Sequence, residues 1–334
     1  MALRADLDAL PVAEATGLPF ASTATTEWNG AHVGMMHACG HDAHVAILMG
    51  VADGLAGMQA EPPGTVKSIF QPAERGAPEG ETGGAQRMLA EGAFDDPRPE
   101  AVFGLHVMSG APTGEIGHRA GPILASCDTF DVTVTGRQTH GALPWERGGP
   151  DRAGRADHPR ASDDPEPAGR RDARALVLTA GTIKAGTRHN IVPEKARMSG
   201  TLRTHGEDMR TLIKDRMQAT ASGIAQSGGG SAEVSFRPGG YAATVNDPAL
   251  TARMVSVLEA IPGATVKETP KRRPSEDFSF YAQQGPGLFL FVGAAAPGED
   301  MAKAAPPIGM RALPALTLAT WRWSRVEQPR EGMH

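Results

Sequence analysis

The chain has 334 residues, 40% of them hydrophobic, a formal net charge of −5 and a pI near 6.1. That is length enough for two domains with a sizeable core, and too little clustered positive charge for a nucleic-acid footprint. No apolar run approaches the ~18–20 residues of a membrane span, and the opening MALRADLDALPV carries charges where a signal peptide carries its apolar core. Two cysteines, Cys39 and Cys127, make no disulfide framework, so a reducing cytoplasm is the expected compartment.

Residues 2–11 alternate apolar and charged side chains up to Pro11 and read as a strand. Its carboxyl end would present Asp6 and Asp8 on one face, where ligands gather in open α/β sheets. A solvated strand edge explains that pair equally well. A polar loop over 22–30 follows, then His37, Cys39, His41, Asp42 and His44 in close succession. Val45, Ile47, Leu48, Met49, Val51 and Leu55 come next, spaced as a buried helix from near Asp42 to about Met58. Thiolate and imidazole hold borderline transition metals. Taken singly, His37 and His44 read as capping or surface residues and Cys39 as a small core filler. Cys39 and His41 together read as metal donors, because later segments supply partners.

Gly64–Phe70 is a strand that runs into Gln71-Pro72-Ala73-Glu74; a Gly-rich loop and a helix over 85–91 follow. Residues 101–107 read as a short buried strand ending on His106. Strand ends would thus deliver Asp6, Asp8, Glu74 and His106 around the Cys39/His41 loop. Alternating strands and helices predict an α/β fold with a largely parallel, doubly wound sheet.

From Ile123 the texture changes. Strands over 128–136, 176–183, 196–203 and 232–236 with a helix over 207–226 suggest a small α+β insert of the split βαβ kind. The chain returns to the first domain near Tyr241, with a helix over 248–260 and a strand over 287–293. The expected division is 1–121 plus 241–334 for a catalytic domain and 122–240 for the insert. Within the insert, 151–175 lacks large apolar residues, is broken by proline, and is expected to be disordered.

The segments ALRADLDALP, VGMMHACGHDAHVAILMG, IFQPAERGAPEG, FGLHV, GRQTHGALPW, GTRHNIVP, GTLRT and PSEDFSFYAQ carry a resemblance. In content and order the chain resembles metal-dependent amidohydrolases of the aminoacylase and carboxypeptidase G type. Within them it is most similar to the branch of hippurate hydrolase, N-acyl-amino-acid amidohydrolases and indole-acetyl-amino-acid hydrolases. The resemblance implies a zinc-peptidase-like catalytic domain, an inserted ferredoxin-like lid domain and two divalent ions (Zn, Mn, Co or Ni). It also implies a small N-acyl amino acid substrate and, as in some relatives, a homodimer; membrane and nucleic acid are excluded as partners by the composition above. By the same resemblance Cys39, His41 and His106 are metal ligands, Glu74 is the general base and Asp8 orients the metal site. His140 stabilises the oxyanion, while Asn190 and Arg203 hold substrate.

The chain departs from the family pattern in four places. The family follows the Glu74 position with a second, metal-binding glutamate; here Arg75 stands there, and a guanidinium cannot ligate a cation. A late histidine ligand is expected near 302–314, where AKAAPPIGMRALP contains none, and His334 is a poor substitute at a chain end. The polar 151–175 stretch replaces an amphipathic lid helix. The segment that precedes RADLDALP in the family is missing, which predicts an exposed sheet edge. These departures support a second reading: an impaired or inactive relative, or a damaged-gene product, with residual metal binding.

Overall fold

The computed structural model describes residues 1–28, 30–58, 64–76, 82–143 and 176–295. The expectations for 151–175, for 302–314 and for His334 lie outside them. The chain divides into two compact units. One comprises Met1–Ile123, Val245–Pro270 and the residues from Asp277 on; the other comprises Leu124–Thr244 and Lys271–Glu276.

The first unit is built on a six-stranded sheet. Its spatial order is Thr265–Glu268, Glu115–His118, Gly287–Ala295, Val102–Pro112, Ala2–Asp6 and Lys67–Gln71. Every neighbouring pair is parallel except Glu115–His118 against Gly287–Ala295. A parallel sheet must be covered on both faces, and the sequence provides for that. All nine residues of the central strand Gly287–Ala295 are buried, consistent with its unbroken apolar run.

On one face lies the helix His41–Ala56, which buries His41, Ala43, His44, Ile47, Leu48 and Val51. These recur at helical spacing, so a single stripe meets Leu3, Ala5, Phe103, Leu105 and Val107 in the core. The helix Pro248–Glu259 adds Leu250, Met254, Val257 and Leu258 to the same core. Its start is written locally: Asp247 accepts from the Leu250 N–H (2.7 Å), and Pro248 takes the first turn. Phe278, Tyr281, Phe289 and Phe94 form an aromatic cluster, with Phe278–Phe289 and Phe94–Tyr281 centroids each 5.2 Å apart. Gly104 is required there, since a Cβ would come within 2.8 Å of the Phe278 ring.

The second unit has a four-stranded antiparallel sheet, in order Leu176–Ala185, Lys195–Thr204, Asp128–Thr135 and Ser231–Phe236. Asp128–Thr135 alternates buried and half-buried residues, as a one-sided sheet requires. Phe130, Val132, Val134, Met198 and Leu202 pack with Ala221 and Ala225 of the helix Glu207–Ser227. Among the described residues no helix is long and apolar enough to cross a membrane.

Three local expectations need correction. The strand expected to end on His106 runs from Val102 to Pro112, so His106 lies within it. The expected polar loop over 22–30 contains a strand, Thr25–Trp28, paired antiparallel with Ala31–Gly34. Asp6 and Asp8 do not share a strand face, because the strand stops at Asp6 and Asp8 lies in the loop beyond.

Candidate metal centre

Gly40 adopts φ 80°, a left-handed conformation that an L side chain resists, and so turns the chain sharply into the helix beginning at His41. That turn carries Cys39 and His41 to the carboxyl end of the sheet. The strand Ala2–Asp6 pairs with Val102–Pro112 only as far as Arg4↔Gly104. Continued by two residues, that register sets Asp6 level with His106, where the neighbouring strand runs out. The chain beyond Gln71 passes through Ala73 at φ 54°, a strained conformation for a residue with a Cβ, immediately before Glu74.

Cys39, His41 and His106 place one donor atom each within 4.8 Å of one another, and Asp8, His41 and Glu74 do the same. His106 Nδ1 donates to the Val107 carbonyl (2.7 Å), which leaves the Nε2 lone pair facing Cys39 Sγ at 3.6 Å. That is how a protein fixes the tautomer of a ligating imidazole. His41 is 1% exposed, yet neither ring nitrogen has a hydrogen-bond partner. Asp8 Oδ1 is likewise buried and unpartnered. Buried polar atoms are nearly always satisfied, so orphaned atoms on a Cys/His/His donor set fit a divalent cation. Burial, opposed by Asp6 and Asp8, holds His41 below its usual value, in the neutral form that ligation needs. Burial pushes the Cys39 thiol up, but hydrogen bonds and charge from His106 and Arg75 outweigh it and leave the thiol below its ordinary range.

Behind the cluster lies a second polar group. The Val107 N–H donates to His44 Nε2 (2.9 Å), so the His44 proton is on Nδ1, and it is donated to Asp6 Oδ1. Asp6 also faces Arg4 (3.2 Å) and lies 3.6 Å from His41 Nε2. Burial would raise the Asp6 carboxyl, but Arg4 and His44 hold it well below the usual carboxylate range. Asp277 accepts from Arg4 (2.9 Å), from Gln71 (2.8 Å) and from the Ala85 N–H (2.8 Å). Gly84 is obligatory beside it, at φ 58° and with Asp277 Oδ2 only 2.1 Å from where a Cβ would be. Glu74 is 7% exposed. Burial, reinforced by Asp277 and Asp6 and opposed by Arg4 and Arg75, pushes its carboxyl up to about 8. Arg75 is exposed; its backbone N–H donates to Asp8 Oδ2 (3.0 Å) and its guanidinium donates to Cys39 Sγ.

The structure therefore brings together Cys39, His41, His106, Glu74 and Asp8. The other sequence-derived candidates lie in the second unit. His140 is exposed on a two-residue strand, Thr139–His140, that pairs with Ile191–Val192, and its Nδ1 accepts from the Ala142 N–H (3.1 Å). Asn190 adjoins it, its carbonyl accepting from the Gly141 N–H (2.8 Å). Arg203 donates to Ser275 Oγ (3.0 Å). His44, taken singly as a capping or surface residue, is instead 1% exposed on the buried face of the helix, three positions after His41. Sequence reasoning missed Arg4, Gln71 and Asp277, which share no local pattern.

Comparison with known proteins agrees with this geometry. The profile of peptidase family M20/M25/M40 matches residues 2–318. A thermostable carboxypeptidase of Saccharolobus solfataricus is 37% identical over 88% of this chain and 70% of its own length. An N-acetyldiaminopimelate deacetylase of Limosilactobacillus fermentum is 37% identical over 87% of this chain and 72% of its own. Among solved structures, a dinuclear metal-binding peptidase of the M20 family from Bacillus subtilis superposes with a TM-score of 0.78. It is 30% identical, over 98% of this chain and 82% of that one. A donor cluster at the end of a zinc-peptidase-like sheet and a profile match across nearly the whole chain lead to one assignment: the protein belongs to peptidase family M20/M25/M40.

Proposed function

We propose that the protein hydrolyses the amide bond of N-acyl amino acids, with Cys39, His41 and His106 holding a divalent cation and Glu74 serving as general base. One observation carries the reading: a buried imidazole with no hydrogen bond at either ring nitrogen, set among thiol, imidazole and carboxyl groups. The deacetylase names among the relatives supply the substrate class. When bound, a divalent cation lowers the pKa of water from 15.7 toward ~7 and polarises the scissile carbonyl.

The chain's own residues supply the rest. Glu74 takes a proton from the attacking water and passes it to the leaving amine, a role worth ~10²–10⁴-fold. Its carboxylate, raised by burial, is a stronger acceptor of that proton than an exposed glutamate would be. Asp8 orients the donor loop through the Arg75 N–H and the His37 ring, whose Nδ1 donates to the Asp8 carbonyl (3.1 Å). By resemblance, His140 donates to the developing oxyanion, Asn190 and Arg203 hold substrate, and the second unit serves as a lid. The cytoplasm and a homodimer belong to the same reading.

The test is hydrolysis of acetyl- and benzoyl-amino acids by zinc- or manganese-loaded protein. Glu74→Gln should lose ~10²-fold or more in kcat while keeping its metal content. Undiminished turnover in that variant would remove Glu74 from the mechanism. The second reading, a fold with impaired catalysis, draws on Arg75, whose positive charge lies against a candidate ligand. Metal binding with no turnover on any acyl-amino acid would favour it.

A further inference from the structure

We propose that the Arg75 guanidinium, seated on Cys39 Sγ, fills the place of a second cation, so that this centre takes one divalent ion. The inference rests on the metal reading above and refines it. Three donor sets share His41, and Arg75 touches two of them: Cys39 with His106, and Asp8 with Glu74. Two such sets could in principle seat two ions, and the Bacillus subtilis peptidase with this fold is dinuclear.

Here Arg75 engages a donor from each of these two sets. Its backbone N–H donates to Asp8 Oδ2 (3.0 Å), which fixes the main chain beside the cluster. From that anchor its side chain reaches Cys39 Sγ. Strained Ala73 and left-handed Gly76 (φ 99°) bracket the turn, so the arginine sits on a defined loop. A guanidinium keeps its proton at any physiological pH, so its charge at the thiolate is permanent. It places a fixed positive charge on a sulfur of the donor cluster, so a second divalent ion among these donors would be repelled by that charge as well as by the first ion. Arg75 makes no hydrogen bond to the His41 nitrogens or to His106 Nε2, and one ion can use them.

Elemental analysis of the whole chain, stripped with chelator and re-equilibrated with excess zinc, tests this. Wild type should carry about one ion per chain and Arg75→Glu about two, since that change removes the fixed charge and adds a carboxylate. Arg75→Gln, which adds no ligand, should bind its first zinc on the order of tenfold more tightly in competition with a chromophoric chelator. Arg75 is exposed, so both variants should fold, and circular dichroism verifies it. Two ions in wild type overturn the proposal, as does an unchanged count in Arg75→Glu. If Arg75→Glu does not fold, unchanged zinc affinity in Arg75→Gln overturns it instead. No zinc in any of the three proteins defeats the metal reading together with this inference. One or two ions in wild type leave that reading intact and decide only the role of Arg75.

Discussion

Two buried polar clusters meet at the carboxyl end of the larger unit's sheet, and they differ in how their atoms are used. Around Asp277, Arg4, Gln71 and the Ala85 N–H all converge on one carboxylate at 2.7–2.9 Å. Around His41, a side chain equally removed from water leaves both of its ring nitrogens without a hydrogen bond. Burying an unsatisfied polar group costs ~1–3 kcal/mol, and an imidazole open at both nitrogens among further donor groups is a place where a bound cation would recover that cost. The contrast separates a structural tie from a binding site without reference to sequence similarity.

The largest expected effect falls on the tie. Asp277→Ala leaves the Arg4 guanidinium buried without that carboxylate and should cost ~3–5 kcal/mol in denaturant unfolding of the metal-free protein. His41→Ala, measured the same way, should cost clearly less, because it removes no hydrogen bond. A reversal of that order would break the comparison. The next effect belongs to the site. Zinc at a hundredfold its Kd should raise the stability of wild type by ~2.7 kcal/mol. His41→Ala should show no such gain. A gain of the same size in the variant would mean that zinc binds elsewhere.

How much of this the sequence made legible depended on the range of the interaction. The helix His41–Ala56 was readable because its buried residues repeat at helical spacing, and the helix Pro248–Glu259 because Asp247 and Pro248 mark its start. Cys39 and His41 were legible because two soft donors stand two positions apart. The length of the strand through His106 was not. Past Val107 the chain reads Met-Ser-Gly-Ala-Pro, with no β-branched or aromatic pattern, and it stays extended through pairing with Gly287–Ala295. The inward turn of Asp6 depends on His44 and Arg4, and the Asp277 tie joins positions 4, 71 and 277. Contacts across such separations leave no mark in a local window. Arg75 is the converse case, since the sequence flagged it as foreign to the pattern and only the structure placed it on Cys39.

A third polar cluster, in the smaller unit, sharpens the distinction. Asp128 accepts from Arg210 through two bonds of 2.7 Å and from Lys214 at 2.7 Å, and it is 2% exposed. It resembles the Asp277 tie in being satisfied, and so it should behave as structure. Burial would raise its carboxyl, but Arg210 and Lys214 hold it below the ordinary value of 3.8. A depressed folded pKa means that the unfolded chain takes up the proton first. The stabilisation is therefore complete above the unfolded value, near 3.9, and is lost as pH falls toward the folded one. Unfolding free energy should accordingly decline with acid below about pH 4 in wild type and decline less in Asp128→Asn. Zinc should leave that difference untouched, because the cluster offers a cation no unfilled donor. This is the smallest of the expected effects and the most selective. If zinc shifted the Asp128 limb, satisfaction of buried atoms would no longer separate the ties from the site.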